Sequence, residues 1–416
     1  MVESWLYLVA ALYMGIALAY AVLQGRLASR HVSASRPVPD GGWPSVDVVL
    51  PCYNEDAAVL ADCCAALERQ DYPGELRMFL VDDGSANREA IEAAVYRRYR
   101  HRDGWTVILL DRNRGKRIAQ DAAVRRGRGE LVVTMDSDTS VAADAVRRLV
   151  AAFASPEIGA VTGDVRVRNL DHNRLTRLID ERYRLLFEQE RAAQGMVGAV
   201  LCCSGPFSAY RRSALQKVWR EYLLQTFAGR TCVAGDDIHL TNLVLAHGYR
   251  SLYEPSAKAL TIVPTTLRGY LLQQARWNRS FYRELLPTMR ILPHRSPYLA
   301  LDVGARLLLP LLLAAGMALA AVRGAGAVAG AAPGDLRVPL GAGVVGLMVA
   351  CSAWLLGGKV LGRGRRKLDF VLLYGMLYVL LLVPVRFWSL ATVLRNGWGT
   401  RREAPGMPIA TIELSR

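Results

Sequence analysis

Apolar residues crowd the two ends of this 416-residue chain, while the middle carries them in short runs separated by polar turns. Trp5–Gln24 is uncharged and, at about 1.5 Å of rise per residue, long enough to cross a bilayer. A linker with the composition of a loop, HVSASRPVPDGGWPS, occupies residues 31–45. From Val46 to about Pro264, β-branched runs alternate with stretches of helical spacing. VDVVLPCYNED (46–56), LRMFLVDDGS (76–85), Thr106–Leu110 and LVVTMDSDTS (131–140) read as strands, most of them running into a polar tip. That alternation predicts an α/β domain with a doubly wound, mostly parallel sheet that binds ligands at the carboxyl edge of its strands.

Beyond the domain the pattern changes again. Leu267–Glu284 sets Leu267, Tyr270, Leu271 and Phe281 on one side and Arg and Gln on the other, as a helix lying in the bilayer interface does. Tyr298–Val322 and Val338–Gly358 can each span. Glu3 precedes the first apolar stretch and Arg26, Arg30 and Arg36 follow it, so the positive-inside rule puts the N-terminus outside and the domain in the cytoplasm. The basic run GRGRRK (362–367) is cytoplasmic by the same rule. Phe370–Val385 is short for a span and ends in Pro384 followed by Arg386, with Arg395, Arg401 and Arg402 beyond. These features predict a re-entrant or interfacial helix pair over 370–395 that returns to the cytoplasm. The expected layout is a transmembrane helix (1–30), linker (31–45), cytoplasmic domain (46–264), amphipathic interfacial helix (265–297), two spans (298–358) and a re-entrant segment with a tail (359–416). It amounts to a multi-pass protein of the cell membrane.

Composition narrows the classes. A net charge of +15 would suit a nucleic-acid binder, but Arg is spread along helical stretches and beside apolar runs rather than gathered in a patch with interleaved aromatics. Basic flanks on apolar spans fit a surface of membrane lipids instead, and no nucleic-acid partner is expected. Seven cysteines without C-x-x-C or Cys/His spacing point to reduced thiols.

The candidate chemistry lies at the polar tips. Asp136 and Asp138, two apart after an apolar run, offer hard oxygens to a divalent cation, Mg²⁺ or Mn²⁺, carrying a diphosphate. Lys116 in RGKR can neutralise phosphate. Asp236 and Asp237 follow Gly235, which permits a tight turn, and like charges so close push one proton affinity upward, a route to a proton acceptor near neutrality. The pair also suits a helix N-terminus, since IHLTNLVLAHG is helical in pattern. On the amphipathic helix a lone Trp277 reads first as a membrane anchor, though its flat face also suits packing against a ring, and Arg276 can fork onto phosphate oxygens. Cys203 reads best as a small buried apolar residue.

VVLPCYNED, VDDGS, DSD, SGP (204–206), GDD (235–237) and QQARW (273–277) stand in the order found in processive family 2 glycosyltransferases, which the chain resembles over roughly residues 46–290. At finer grain RLTRLIDERY, ERAAQ, CCSGPFSAYRRSAL and NRSFYRE look most like bacterial hyaluronan synthases, with nodulation-type chitin-oligosaccharide synthases close behind. The resemblance implies a GT-A glycosyltransferase domain with Tyr53 and Glu55 near the base of a uridine nucleotide and Asp83 on the uracil edge. It makes Asp237 the general base with Asp236 its neighbour, and lines the acceptor end with Ser204, Gly205 and Pro206. Gln273, Arg276 and Trp277 form the family's Q-x-x-R-W motif. Trp398 and Arg401 would belong to a W-G-T loop closing over bound UDP. The activity implied is inverting, processive polymerisation of UDP-GlcNAc and UDP-GlcA into hyaluronan, with the growing polysaccharide extruded between the spans. The alternative is a chitin-type synthase using UDP-GlcNAc only. Larger hyaluronan synthases carry further spans after this loop, which raises a possible homodimer.

Overall fold

The computed structural model describes residues 2–33, 42–329, 346 and 373–397. An N-terminal helix, Val2–Ser29, leads to the domain, where strands β1 (Val46–Cys52), β2 (Leu76–Asp82), β3 (Trp105–Leu109), β4 (Leu131–Met135), β5 (Ser140–Val141), β6 (Ile158–Val167) and β7 (Phe207–Arg211) follow in turn. A short hairpin of β8 (Thr226–Phe227) and β9 (Arg230–Thr231) precedes the last long strand, β10 (Arg250–Thr261). The main sheet runs β3-β2-β1-β4-β7-β6-β10-β5. β1 and β4 sit at its centre and are buried along their whole length, which explains why their sequences are continuous rather than alternating apolar runs.

The sheet is mixed. β3, β2, β1 and β4 pair in parallel, and β6 pairs in parallel with β10. β7 runs antiparallel between β4 and β6, and β5 runs antiparallel against β10. Most strands share one direction, as the alternation predicts, but β7 reverses, and its reversal brings the residues just before it, Ser204-Gly205-Pro206, to the same edge as the tip of β4.

Local signals set the helix starts. Asp56 caps Ala57–Glu68 by accepting from the backbone N–H groups of Ala58 and Val59. Asn173 and Thr176 form a reciprocal capping box at the head of Arg174–Leu185. The linker is docked at its start, where Ser33 Oγ donates to Glu254 Oε1 at 2.6 Å and the His31 ring lies 5.4 Å from that of Tyr253.

Three helical runs, Ser4–Ser29, Pro297–Val322 and Leu373–Ala391, are long and apolar enough to cross a membrane. They meet in a cluster of Ala10, Tyr13, Ala17, Leu313, Val379 and Val383, where the alanines of the first helix allow close approach. The amphipathic helix is found at Leu267–Arg283. The described part of 370–395 corrects one expectation: it is a single continuous run instead of a helix pair. A wider π-helical turn at Tyr378–Leu382 precedes Pro384, which then falls in the first turn of Val383–Ala391, where its missing N–H is tolerated. This run lies along the amphipathic helix. Tyr374 Oη is 3.5 Å from Tyr270 Oη near one end, and the carbonyl of Val393 accepts from Arg283 Nη2 at 2.8 Å at the other. The expected span at 338–358, residue 346 apart, and the W-G-T loop with Trp398 and Arg401 lie outside the described residues.

Candidate active site

Because β2, β1 and β4 are adjacent and parallel, their carboxyl tips lie side by side. Those tips open onto one cavity of about 1580 Å³. Tyr53, Glu55, Asp83, Lys116, Asp136 and Asp138 line it, as do Ser204, Gly205, Pro206, Asp236, Asp237, Gln273, Arg276 and Trp277. All the predicted site residues among the described ones are thus brought together. The cavity continues past Trp277 to Tyr13, Tyr20, Arg306, Leu309, Pro310 and Tyr378 on the apolar helices.

The first two tips are fixed largely by backbone and short polar side chains. Asp83 accepts from the N–H of Arg114 and of Gly115, each at 2.8 Å, which ties β2 to the loop after β3. Burial pushes its carboxyl up to about 6 despite these donors. Gly84 must be glycine: its φ is +72° and an added Cβ would lie 2.2 Å from the carbonyl carbon of Arg112. Beneath it Asp82, which sequence reasoning left without a role, accepts from the N–H of Ser85 and from Arg88 and Tyr96, and so braces the turn. Asn54 adopts φ 49°, and its side-chain Oδ1 accepts from the N–H of Ala86, linking the tips of β1 and β2. Glu55 reaches the third tip, where its Oε2 accepts from Ser137 Oγ at 2.6 Å.

At the third tip the two carboxylates differ. Asp138 Oδ1 accepts from Thr261 Oγ1 at 3.2 Å. Asp136 faces Lys116, whose Nζ stands 2.8 Å from Asp136 Oδ1 and 2.9 Å from Asp236 Oδ2. Gly205 leaves this ammonium its room, since a Cβ there would sit 3.2 Å from Lys116 Nζ. Among the described residues no group of three or more His, Cys, Asp or Glu side chains converges as a closed metal cage would require. One or two carboxylates are what a Mg²⁺-like ion shared with substrate phosphates needs, so Asp138 and Asp136 fit such an ion.

Gly235, with φ +86°, turns the chain into the helix Asp236–Ala246. Burial pushes the Asp236 carboxyl up, but Lys116 beside it outweighs this and holds it below the usual carboxylate range. Burial and the neighbouring Asp236 charge raise Asp237 above it. Asp237 also accepts from the N–H of Ile238 at 2.8 Å and faces the Gly205 N–H at 3.4 Å. One turn therefore carries a low and a high carboxyl, the arrangement that sets a proton acceptor apart from its partner. Facing it, Trp277 lies 6.3 Å from the Tyr183 ring, and Gln273 Oε1 is buried without a hydrogen-bond partner. Cys203 is fully buried, and the cysteines among the described residues are free thiols.

A second polar group lies further along the cavity, around Arg306 and, one turn before it in the same apolar helix, Asp302. Arg306 Nη2 donates to Glu190 Oε2 at 2.7 Å, and Arg182 Nη1 donates to Glu190 Oε1 at 2.8 Å. Asp302 accepts from Arg306 Nε at 3.2 Å, Tyr20 Oη at 2.7 Å and Gln194 Nε2 at 2.8 Å. Burial works against ionisation of Glu190, but Arg182 and Arg306 hold its carboxyl down at about 2. The signal available in sequence was the pair of charges inside an apolar span, which demands partners elsewhere in the protein.

A mixed sheet with acidic strand tips over a nucleotide-sized cavity, carrying a paired carboxylate turn opposite a tryptophan, defines a GT-A-fold transferase. The same fold is seen in a solved mannosyltransferase from Pyrobaculum calidifontis in complex with GDP-Man and Mn²⁺. That structure matches at a TM-score of 0.66 and 23% identity, covering 95% of this chain and 99% of its own. Residues 47–219 match the family model Glycosyl transferase family 2. A Sinorhizobium fredii protein named N-acetylglucosaminyltransferase is 41% identical over 403 residues, covering 96% of this chain and 94% of the relative. A Bradyrhizobium diazoefficiens protein of the same name is 42% identical over 361 residues, covering 86% and 72%. The chain belongs to glycosyl transferase family 2 and is a glycosyltransferase.

Proposed function

We propose that this glycosyltransferase moves N-acetylglucosamine from UDP-GlcNAc to the end of a growing N-acetylglucosamine oligomer at the cytoplasmic face of the cell membrane, and feeds that oligomer between its apolar helices. The observation that carries this reading is the single cavity that joins the strand tips to Tyr13, Leu309 and Tyr378. The sugar follows from the names of the relatives, which favour a GlcNAc-only enzyme over hyaluronan synthesis; neither UDP-GlcA nor a homodimer gains support from them.

In this reading Tyr53, Glu55 and Asp83 hold the uridine. Asp138, with Asp136, would hold a divalent cation, which supplies Lewis-acid neutralisation of the departing diphosphate. Lys116 adds a second positive charge there. Trp277 and Tyr183 give the acceptor sugar a flat seat, and Gln273 Oε1 accepts from one of its hydroxyls. Asp237 takes the proton of the attacking hydroxyl as that oxygen bonds to C1 and the bond from C1 to the diphosphate oxygen breaks, releasing UDP with inversion.

Purified protein given UDP-GlcNAc alone should release UDP and build a product that chitinase digests and hyaluronidase does not. A requirement for added UDP-GlcA, or a hyaluronidase-sensitive product, would overturn the choice of sugar.

A further inference from the structure

Glu284 ends the amphipathic helix that carries Trp277, is only 2% exposed, and has no assigned role. Its carboxylate is the meeting point of three side chains. Oε1 faces His239 Nδ1 at 2.9 Å and accepts from Gln225 Nε2, while Oε2 accepts from Asn242 Nδ2 at 3.0 Å. His239 and Asn242 belong to the helix that Asp236 and Asp237 open, within its first two turns. Their other polar atoms, His239 Nε2 and Asn242 Oδ1, are buried without partners, and Asn242 Nδ2 also donates to Thr288 Oγ1 at 3.0 Å. Gln225 in turn accepts from Arg117, the neighbour of Lys116. A second contact fixes the same two helices closer to the site: a Cβ on Gly235 would come within 2.7 Å of Ser280 Cβ and Oγ.

Removing a carboxylate from water costs free energy that an apolar pair would not. What the arrangement provides is registration between the helix bearing the proton acceptor and the helix bearing the sugar platform. We propose that Glu284 is a positioning residue that sets Asp237 against Trp277, acting through His239 and Asn242. The inference rests on the roles given above to Asp237 and Trp277. Its consequence is specific: displacing the platform from the base harms attack by a sugar hydroxyl, which must be held, more than attack by water, which is not.

The test uses full-length protein in detergent and whichever nucleotide sugar the wild type turns over, so a wild type that refuses UDP-GlcNAc overturns the choice of donor and leaves this measurement intact. UDP release without acceptor reports hydrolysis, and incorporation into an N-acetylglucosamine oligomer, or an acceptor matching the donor, reports transfer. In Glu284→Gln and His239→Leu the ratio of transfer to hydrolysis should fall roughly tenfold to a hundredfold while donor affinity stays within about twofold. His239→Asn, whose amide nitrogen takes the place of the imidazole Nδ1, should recover most of that ratio. Should Glu284→Gln fail to fold, the two His239 variants carry the test. Transfer and hydrolysis falling in proportion, or a ratio unchanged in His239→Leu, would overturn the proposal. Loss of the Asp237 assignment would look different: Asp237→Asn would itself retain transfer.

Discussion

At the edge of the sheet Asp83 is gripped by two backbone N–H groups from the next loop, whereas further along the same cavity Glu190 is gripped by two arginines. The two carboxyls are pushed in opposite directions as a result, one up to about 6 and the other down to about 2. Asp83 is buried and Glu190 partly buried; what separates them is the partner. Amide dipoles offset only part of the cost of burial, while two full positive charges more than offset it. The donor end of the cavity is thus a backbone construction with tunable protonation, and the membrane end is a set of locked ion pairs.

The sharpest way to break this comparison is at the turn between the two ends. Asp237→Asn should abolish transfer, a loss of at least roughly 10²-fold, while UDP-GlcNAc still binds. Isothermal titration alongside a product assay separates the two, and retained polymerisation would sink the assignment of the base. Next in size is the membrane end. Glu190→Gln leaves Arg182 and Arg306 facing a neutral amide, and should lower stability by about 2–4 kcal/mol, read as a drop in Tm in detergent. An unchanged Tm would mean that the ion pairs hold nothing together. The smallest effect belongs to the donor end. Asp83 is protonated below about pH 6, and in the proposed reading its ionised form accepts from the uracil edge, so UDP-GlcNAc affinity should rise several-fold as pH climbs through about 6 and stay flat in Asp83→Asn. The stability linkage has the opposite sense. A raised carboxyl contributes stability that is fully present below its unfolded value, near 4, and is lost as pH rises through about 6.

The same contrast explains what could be read from sequence. Strand tips and turns are short-range features: Asp136 and Asp138, Gly235-Asp236-Asp237 and the motif around Trp277 are each contiguous, and parallel pairing of β2, β1 and β4 brings the strand tips to one edge. The reversal of β7 was not legible, because Phe207–Arg211 is a short buried run whose pattern is the same in either direction. Nor were the distant partners of Asp302, unlike Arg306 four residues on. Tyr20 lies 282 positions earlier in the chain, and no local periodicity encodes such a pairing. Pro384 misled in a third way, since a proline after an apolar run ordinarily stops a helix, and only the wider turn before it lets this one continue.

The far reach of the membrane-end ion pairs has a consequence for how the enzyme comes into being. Glu190 leaves the ribosome 116 residues ahead of Arg306, and the cavity wall is still unfinished until Gly397 has emerged. An unfinished chain therefore holds the strand-tip carboxylates but lacks the far wall of the cavity they line.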